Sequence, residues 1–164
     1  MKILIQRVKK ASVSIENEVV GTIDKGLLLF VGFTHDDNEQ VIEQMAKKCV
    51  ELRIFNDDNN KINLSLLDIG GEILSISQFT LYANCLKGRR PSFEKSEKPD
   101  SAVNHYNYFN EYLRRNFNII VQEGVFGEDM KISLINDGPL TIILDSEEII
   151  KKNKNWYWLL QKKV

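Results

Sequence analysis

The pattern of apolar and polar residues predicts a chain made mostly of short β-strands. Residues 11–15 alternate between the two types, and the polar triplet ENE then leads into a second apolar segment at residues 19–23, as in two strands joined by a tight turn. The run LLLFVGF at residues 27–33 is apolar at nearly every position, which is typical of a central strand buried on both faces. With the shorter apolar segments elsewhere, we predict about seven or eight strands.

Two longer segments show the spacing of helices instead. The first has a capping residue in Asp36, Asp37 or Asn38, since a side-chain oxygen there accepts from the free N–H groups of the first turn. Its apolar stripe consists of Val41, Met45, Cys49 and Leu52. The second helix begins near Pro99-Asp100, and its stripe consists of Ala102, Tyr106, Phe109, Leu113 and Phe117. We also expect a capped helix to begin at Ser146.

Together these elements predict an α+β fold, a compact antiparallel β-barrel or sandwich-like domain with two or three packed helices. Short turns join most of the strands. The pattern shows no β-α-β alternation, which argues against a parallel nucleotide-binding sheet. The chain contains neither a G-x-G-x-x-G motif nor a P-loop, and we find no internal repeat or low-complexity linker.

Composition narrows the class of protein. Of 164 residues, 43% are hydrophobic and 27% are charged, as in ordinary globular domains. No apolar run approaches the ~20 residues of a membrane span, and the first ten residues lack the features of a signal peptide. Cys49 and Cys85 form no CxxC arrangement, which suggests neither a disulfide framework nor a zinc site. We expect a cytoplasmic protein with no cofactor, metal or membrane partner.

The balance of charge limits how nucleic acid could bind. The formal net charge is −1, so a nucleic-acid partner requires a local basic patch. The segment KGRRPSF supplies one with Lys87, Arg89 and Arg90. Such a loop is either a solvated surface feature or a site for phosphate groups, whose contacts position nucleic acid without reading its sequence.

Candidate catalytic side chains are few. His35 and His105 lie in no motif, and a surface location is the better interpretation of each. The acidic pairs Asp57-Asp58 and Glu128-Asp129 are better interpreted as solvated loop charges than as acid pairs. A triad needs a nucleophile, a base and an orienting group within hydrogen-bond reach, and nothing in the sequence recommends one.

Two predicted strand regions carry unusual residues. KISLINDGPLTIIL, residues 131–144, predicts a hairpin with NDGP as its turn, although Asn-Gly or Asp-Gly alone would close one. SISQFTL, residues 75–81, predicts a strand with polar groups on both faces. Ser77 and Thr80 are then either ordinary strand hydroxyls or part of a pocket, where hydroxyls and backbone N–H groups meet a polar ligand.

Six segments stand in order over residues 1–145. They are IQRVKKASVSI, RIFNDDNNKINLS, SQFTL, KGRRPSF, the F-x-x-x-M of FGEDM, and NDGPLT. Each short motif is weak alone, but all six at compatible spacing resemble the D-aminoacyl-tRNA deacylase family. The resemblance implies a deacylase domain at residues 1–145. Residues 146–164 are then a C-terminal extension, which includes Trp156, Tyr157 and Trp158.

The resemblance also implies the arrangement of a site. The family works as a homodimer with its active site at the subunit interface, and a Gly-cisPro motif from one subunit enters the pocket of the other. The catalytic motif corresponds to Ser77, Gln78, Phe79 and Thr80. The substrate-binding residues correspond to Gly138, Pro139, Phe126, Met130 and Arg7, the last of which braces the Gly-Pro element.

The activity implied is hydrolysis of the ester bond of D-aminoacyl-tRNA, with no DNA required. A Gly-cisPro wall rejects the L-form through its Cβ, so glycyl-tRNA, which has none, is an expected substrate. We expect backbone N–H groups near Phe79 and Thr80 to stabilise the oxyanion while the terminal 2′-OH of the tRNA assists. Lys87, Arg89 and Arg90 are expected to contact the tRNA.

Other functions stay open from the residues alone. Thr80 as a nucleophile would make the chain a hydrolase of other esters or amides, and the basic loop would suit a non-catalytic RNA-binding module. A purely structural β protein leaves Gly138-Pro139 unexplained. Two residues depart from the family's pattern: Leu140, where Val is usual, and Glu128, where a small residue is usual. The first should affect only packing, and the second the rim of the pocket.

Overall fold

The structure, a computed structural model, describes residues 1–150. Its strands are β1 Lys2–Ile15, β2 Glu18–Ile23, β3 Gly26–Gly32, β4 Phe55–Asn56, β5 Ile62–Leu64, β6 Glu72–Ser77, β7 Val121–Glu123 and β8 Lys131–Asp145. Its α-helices are α1 Glu39–Glu51, α2 Leu66–Ile69 and α3 Pro99–Phe117. Phe79–Tyr82 forms a short 3₁₀ helix (the 3₁₀ turn), and residues 146–150 are also helical.

The long strand β1 connects two halves of one sheet. Residues 2–8 pair with β3 and residues 11–15 pair with β2, both antiparallel. Along its other edge, β1 pairs with β8 over residues 2–14. Beyond β3 the sheet continues through β6 and β7. It then curls back toward β2. A Cβ built on Gly21 of β2 would lie 3.3 Å from Glu123 O of β7, so these two strands lie close together and the sheet forms a nearly closed barrel.

Apolar side chains pack on both faces of this sheet. The inner core consists of Val8, Ala11, Val13, Ile23, Leu28, Leu74 and Ile76, with Phe30, Met130, Ile132 and Leu134 packed against them. The outer face is covered by α1 and α3. Strand β3 contributes to both cores, because Leu27, Leu29 and Val31 belong to the outer one. The prediction that the run at 27–33 is buried on both faces is confirmed.

The α+β prediction is confirmed, with a correction to the topology. Strands β3, β6 and β7 run parallel to one another, and α1 lies in the connection from β3 to β6. That connection is a β-α-β unit, so the expectation of no such alternation was wrong. The sequence conceals the unit because β4, β5 and α2 follow α1 before the chain returns to the sheet.

Both predicted helices are confirmed. Asn38 Oδ1 accepts a hydrogen bond from Val41 N at 3.1 Å and caps α1. Pro99 begins α3, a position where the missing N–H of proline leaves no bond unmade. The helix predicted from Ser146 begins there, but the rest of the tail, with Trp156, lies outside the described residues. Within residues 1–150, no helix has the length and apolar character that crossing a membrane requires.

Residues 131–144 do not form the predicted hairpin. They belong to one strand, β8, which pairs with β1 on both sides of the NDGP segment. The pairs Gln6↔Thr141 and Val8↔Asn136 are consecutive in the ladder, but they are separated by two residues along β1 and by five residues along β8. Four residues of β8 therefore stand opposite Arg7 alone, and these residues, 137–140, form a bulge (the Gly-Pro protrusion). The hairpin prediction was wrong because β1 is long enough to pair with both halves of β8.

The predicted strand at residues 75–81 also ends early. Strand β6 stops at Ser77, and the 3₁₀ turn follows. Gln78 N donates to Val31 O at 2.7 Å, close to the end of β3 at Gly32. Beyond this point no described strand continues the pairing, so the chain turns. Phe79 and Thr80 therefore project from a turn and not from alternate faces of a sheet.

A stability measurement tests the close contact of β3 with β6. A Cβ on Gly26 would lie 1.9 Å from Glu72 O, so we expect Gly26→Ala to lower the free energy of unfolding by about 3 kcal/mol. Gly70→Ala is the control, because it has φ of +60° but nothing within 4 Å of its Cβ, and it should cost about 1 kcal/mol. Equal denaturation midpoints for the two variants would contradict the prediction.

Candidate active site

A cavity of about 680 Å³ opens where β3 and β6 end. The ends of these strands line it together with residues from the segments 93–102 and 126–132. Most of the lining is apolar and aromatic, and includes Phe30, Phe33, Ile76, Phe79, Phe93, Phe126, Met130 and Ile132. A concave surface of this size with a few polar groups is typical of a ligand site.

Most of the predicted catalytic motif lies at this cavity. Ser77, Gln78 and Phe79 line it, whereas Thr80 follows on the 3₁₀ turn and does not belong to the lining. The Thr80 hydroxyl accepts a hydrogen bond from Gln78 Nε2 at 2.6 Å. The side chain of Phe79 is 57% exposed, so it can contact a ligand that enters the cavity.

Two backbone N–H groups at the start of the 3₁₀ turn are free. The first residues of a helical turn have no acceptor within it, and within residues 1–150 neither Phe79 N nor Thr80 N donates a hydrogen bond. By contrast, Gln78 N donates to Val31 O, and Leu81 N donates to Gln78 O. Two adjacent free N–H groups beside a cavity can stabilise negative charge on an oxygen atom.

No described side chain is placed to activate the Thr80 hydroxyl. His105 Nδ1 lies 2.8 Å from Glu97 Oε2, and His35 Nε2 lies 2.8 Å from Glu94 O. Both histidines therefore have partners away from Thr80. A nucleophilic hydroxyl needs a base within hydrogen-bond reach, whereas within residues 1–150 the side chain that bonds to the Thr80 hydroxyl is the neutral amide of Gln78.

The part of the cavity formed by Phe126 and Met130 is supported from α3. The buried Tyr106 donates from its hydroxyl to Ser75 O at 2.7 Å, and its ring centroid lies 6.1 Å from that of Phe126. Gly124 N donates to the same carbonyl oxygen at 3.0 Å. Burial raises the pKa of Tyr106 to about 12, so the hydroxyl stays protonated at neutral pH and keeps this bond.

Sequence reasoning did not identify the strap, residues 92–98, as part of the site. Phe93, Ser96, Glu97 and Lys98 line the cavity. Phe93 packs edge to face on Phe79, with ring centroids 5.0 Å apart, and Ser96 Oγ donates to Phe79 O at 2.9 Å. The Phe of KGRRPSF was an available signal, but a polar loop gave no reason to expect contact with the 3₁₀ turn.

The two acidic pairs have different surroundings. Asp57 closes the loop between β4 and β5, where its carboxylate accepts from Lys61 N at 3.0 Å, and hydrogen bonding lowers its pKa. Glu128 lines the cavity, whereas Asp129 pairs with Lys131 at 2.7 Å. Neither pair brings two carboxylates together in the cavity.

The Gly-Pro protrusion does not line this cavity. Gly138 and Pro139 are exposed and neither lines it. Their peptide bond is cis, as the resemblance implied. Gly138 has φ of +126°, a conformation that a residue with a Cβ rarely adopts. Ile132, which lines the cavity, comes six residues earlier in β8, or about 20 Å along an extended strand.

Arg7 holds the protrusion from β1. Its side chain is buried, and Nε donates to Asp137 O at 3.1 Å and lies 3.4 Å from Asp137 Oδ2. Its Nη1 donates to Ile54 O at 2.6 Å and to Asn56 Oδ1 at 3.2 Å. Arg7 therefore ties the residue that precedes Gly138 to the β4 region, which is the position expected of a bracing residue.

The basic loop lies, along the chain, between Phe79 and Phe93, two aromatic residues of the site. Asn84 and Ser92 exchange backbone hydrogen bonds of 2.8 and 2.9 Å, which close the base of the loop. The side chains of Lys87, Arg89 and Arg90 are exposed, and within the described residues none of them forms an ion pair. Three cations on this loop are therefore available to solvent.

Comparison with known proteins finds relatives over most of the chain. The family described as D-Tyr-tRNA(Tyr) deacylase matches residues 4–145. The D-aminoacyl-tRNA deacylase of an Exiguobacterium species is 53% identical over 145 residues, 88% of this chain and 98% of that protein. The enzyme of the same name from Thermosipho africanus is 50% identical, over 91% of this chain and 99% of that protein.

Solved structures share the fold. The c-Myc DNA unwinding element binding protein is 37% identical with a TM-score of 0.85, over 88% of this chain and 98% of that one. A structure described as a probable eukaryotic D-amino acid tRNA deacylase has a TM-score of 0.77 with the same coverage, but at 17% identity it shows the fold alone. The chain therefore belongs to the D-Tyr-tRNA(Tyr) deacylase family, and it is an enzyme, a hydrolase that acts on ester bonds.

Proposed function

We propose that this chain hydrolyses the ester bond of D-aminoacyl-tRNA. Water adds to the ester carbonyl carbon, the bond from that carbon to the 3′ oxygen of the terminal adenosine breaks, and the 3′ oxygen takes up a proton. The products are the free D-amino acid and tRNA. The proposal rests on the free N–H groups of Phe79 and Thr80 beside an aromatic cavity in a member of this family.

The free N–H groups suit the charge that develops in this reaction. As water adds, the carbonyl oxygen becomes negative, and fixed donors aimed at it are often the largest catalytic contribution. The aromatic lining lowers the local dielectric constant, which strengthens the interaction. The ribose 2′-OH, adjacent to the ester, assists by positioning or activating water, and RNA supplies this group where DNA does not. A side-chain nucleophile is not required.

We assign selection against L-amino acids to the Gly-Pro protrusion of a partner subunit in a homodimer. Within one chain the protrusion is exposed and does not line the cavity. Ile135 and Ile143, on either side of the protrusion in β8, are 46% and 66% exposed, so this strand offers apolar side chains to a partner subunit. The carbonyl oxygens of Gly138 and Pro139 bind the substrate ammonium group, so the Cβ of an L-residue meets the backbone while that of a D-residue points away.

The basic loop contributes affinity for the RNA. Lys87, Arg89 and Arg90 are exposed on the loop between Phe79 and Phe93, which both line the cavity, and they can neutralise phosphates of the acceptor end. Such contacts hold any tRNA in register without selecting its sequence. An enzyme that corrects many aminoacyl-tRNAs benefits from affinity of this general kind.

Matched D-tyrosyl-tRNA and L-tyrosyl-tRNA test the proposed reaction. We expect the purified protein to release D-tyrosine about 100-fold faster, which corresponds to ~2.7 kcal/mol of discrimination. Equal release of both amino acids would still identify a hydrolase, but it would contradict the proposed selection against L-amino acids. Binding of tRNA with no release of either amino acid would identify a non-catalytic RNA-binding module instead.

Thr80→Val separates catalysis by the backbone from an acyl-enzyme route. The variant keeps the N–H of Thr80 and loses the hydroxyl, so we expect kcat on D-tyrosyl-tRNA to change by less than about threefold. Substrate that ends in 2′-deoxyadenosine should react at least about tenfold more slowly with the unaltered enzyme. A loss of activity in Thr80→Val that Thr80→Ser restores would support a threonine nucleophile and contradict the proposal.

Arg7→Lys tests whether the Gly-Pro protrusion excludes L-amino acids. Lysine cannot contact Asp137, Ile54 and Asn56 together, so the protrusion should loosen and the D/L ratio of kcat/KM should fall about tenfold, ~1.4 kcal/mol of discrimination. Glycyl-tRNA has no Cβ to exclude, so it should be hydrolysed by the unaltered enzyme and change least in the variant. Lys9→Gln is the control, because Lys9 Nζ lies 4.0 Å from Asp137 Oδ1 on an exposed side chain. An unchanged D/L ratio in Arg7→Lys, or resistance of glycyl-tRNA to the unaltered enzyme, would contradict the steric account.

A further inference from the structure

Ser96 bonds to the peptide group that carries one of the two free donors. Its Oγ donates to Phe79 O at 2.9 Å. The carbonyl of Phe79 and the N–H of Thr80 belong to the same planar peptide unit, so a bond that orients one end orients the other. The Thr80 N–H itself has no acceptor within residues 1–150. The hydroxyl of Ser96 is therefore fixed to the opposite end of a proposed oxyanion donor.

The strap holds Ser96 in this position through several independent bonds. Ser96 forms a β-bridge with Thr34, and Thr34 Oγ1 donates to Lys95 O at 2.6 Å. Glu97 N donates to Phe33 O at 3.0 Å. These contacts join the residues on either side of Ser96 to the chain that follows β3. The hydroxyl is thus presented to Phe79 O by an ordered segment, with little side-chain freedom left to lose.

We propose that Ser96 is a positioning residue for ester hydrolysis, which aligns and polarises the peptide unit whose Thr80 N–H binds the oxyanion. The inference rests on the proposed function, because it needs an oxyanion at that N–H. A hydrogen bond accepted at a carbonyl oxygen draws electron density from the peptide and makes its N–H a better donor, as in cooperative chains of hydrogen bonds. The effect is greatest when charge develops, so it acts on kcat more than on KM.

The neighbouring donor has its own support. Phe79 N belongs to the peptide unit of Gln78 O, and that oxygen accepts from Leu81 N at 3.3 Å. Both proposed donors therefore have a hydrogen bond at the carbonyl end of their peptide unit. At Gln78 O the bond comes from the 3₁₀ turn itself, and at Phe79 O a side chain from the strap adds a bond. That second bond can be removed without altering the turn's backbone bonds.

The test compares Ser96→Ala, Ser96→Thr and the control Ser101→Ala. Ser101 Oγ donates to Glu97 Oε1 of the strap at 2.7 Å, and within residues 1–150 no side-chain hydrogen bond joins Ser101 to the 3₁₀ turn. We expect Ser96→Ala to lower kcat on D-tyrosyl-tRNA about tenfold with KM unchanged, a fraction of the ~100-fold loss that removal of a whole oxyanion donor causes. Ser96→Thr, which keeps the hydroxyl, should restore most of kcat, and Ser101→Ala should not alter it.

A spectroscopic measurement tests the proposed role of Ser96 independently of activity. In ¹H–¹⁵N spectra of the free enzyme, the Thr80 amide resonance should move upfield in Ser96→Ala and remain in place in Ser96→Thr and Ser101→Ala. An unmoved resonance, a kcat within twofold of the unaltered enzyme, or a change confined to KM would each overturn the proposal. Failure of the unaltered enzyme to release D-tyrosine would instead contradict the proposed function, and the amide resonance would still decide whether Ser96 polarises the Thr80 peptide.

Discussion

Hydrogen bonding along both edges of β1 is the interaction on which the rest of the structure depends. This strand of 14 residues binds β3 and then β2 on one edge and β8 on the other. The ladder brings β3 beside β6, where the 3₁₀ turn begins, and leaves four residues of β8, 137–140, without partners in β1, where the protrusion forms. A slip of one residue would move every side chain of a strand to the opposite face, so the register of β1 fixes the positions of both the cavity and the protrusion.

Local signals in the sequence were sufficient for elements that depend on neighbouring residues. Asn38 caps α1 and Pro99 begins α3, and the apolar run at 27–33 marked a strand between two cores. Elements that depend on distant partners were predicted wrongly. NDGP has the composition of a turn, and only the length of β1 explains why it is a bulge. SISQFTL alternates like a strand, but its pairing ends near Gly32, where β3 ends.

The sequence contains few side chains that identify the site by their chemistry. The site's proposed working groups are backbone N–H groups, which every residue except proline carries, so no catalytic side chain was there to be found. Family resemblance identified SQFTL and Gly-Pro, whereas periodicity and charge could not. Ser96 was missed because it lies 17 residues from Phe79, and their contact arises from the bridge between the strap and Thr34. Such contacts follow from tertiary pairing and not from local spacing.

The absence of the protrusion from the lining of its own chain's cavity has a thermodynamic consequence. If each site takes its cavity from one chain and its Gly-Pro element from another, complete sites exist only in the associated form. At concentrations well below the dissociation constant of the dimer, the number of complete sites falls with the square of the protein concentration. Chiral fidelity then depends on mass action as well as on local geometry, and the amount of enzyme in a cell sets how faithfully each molecule discriminates.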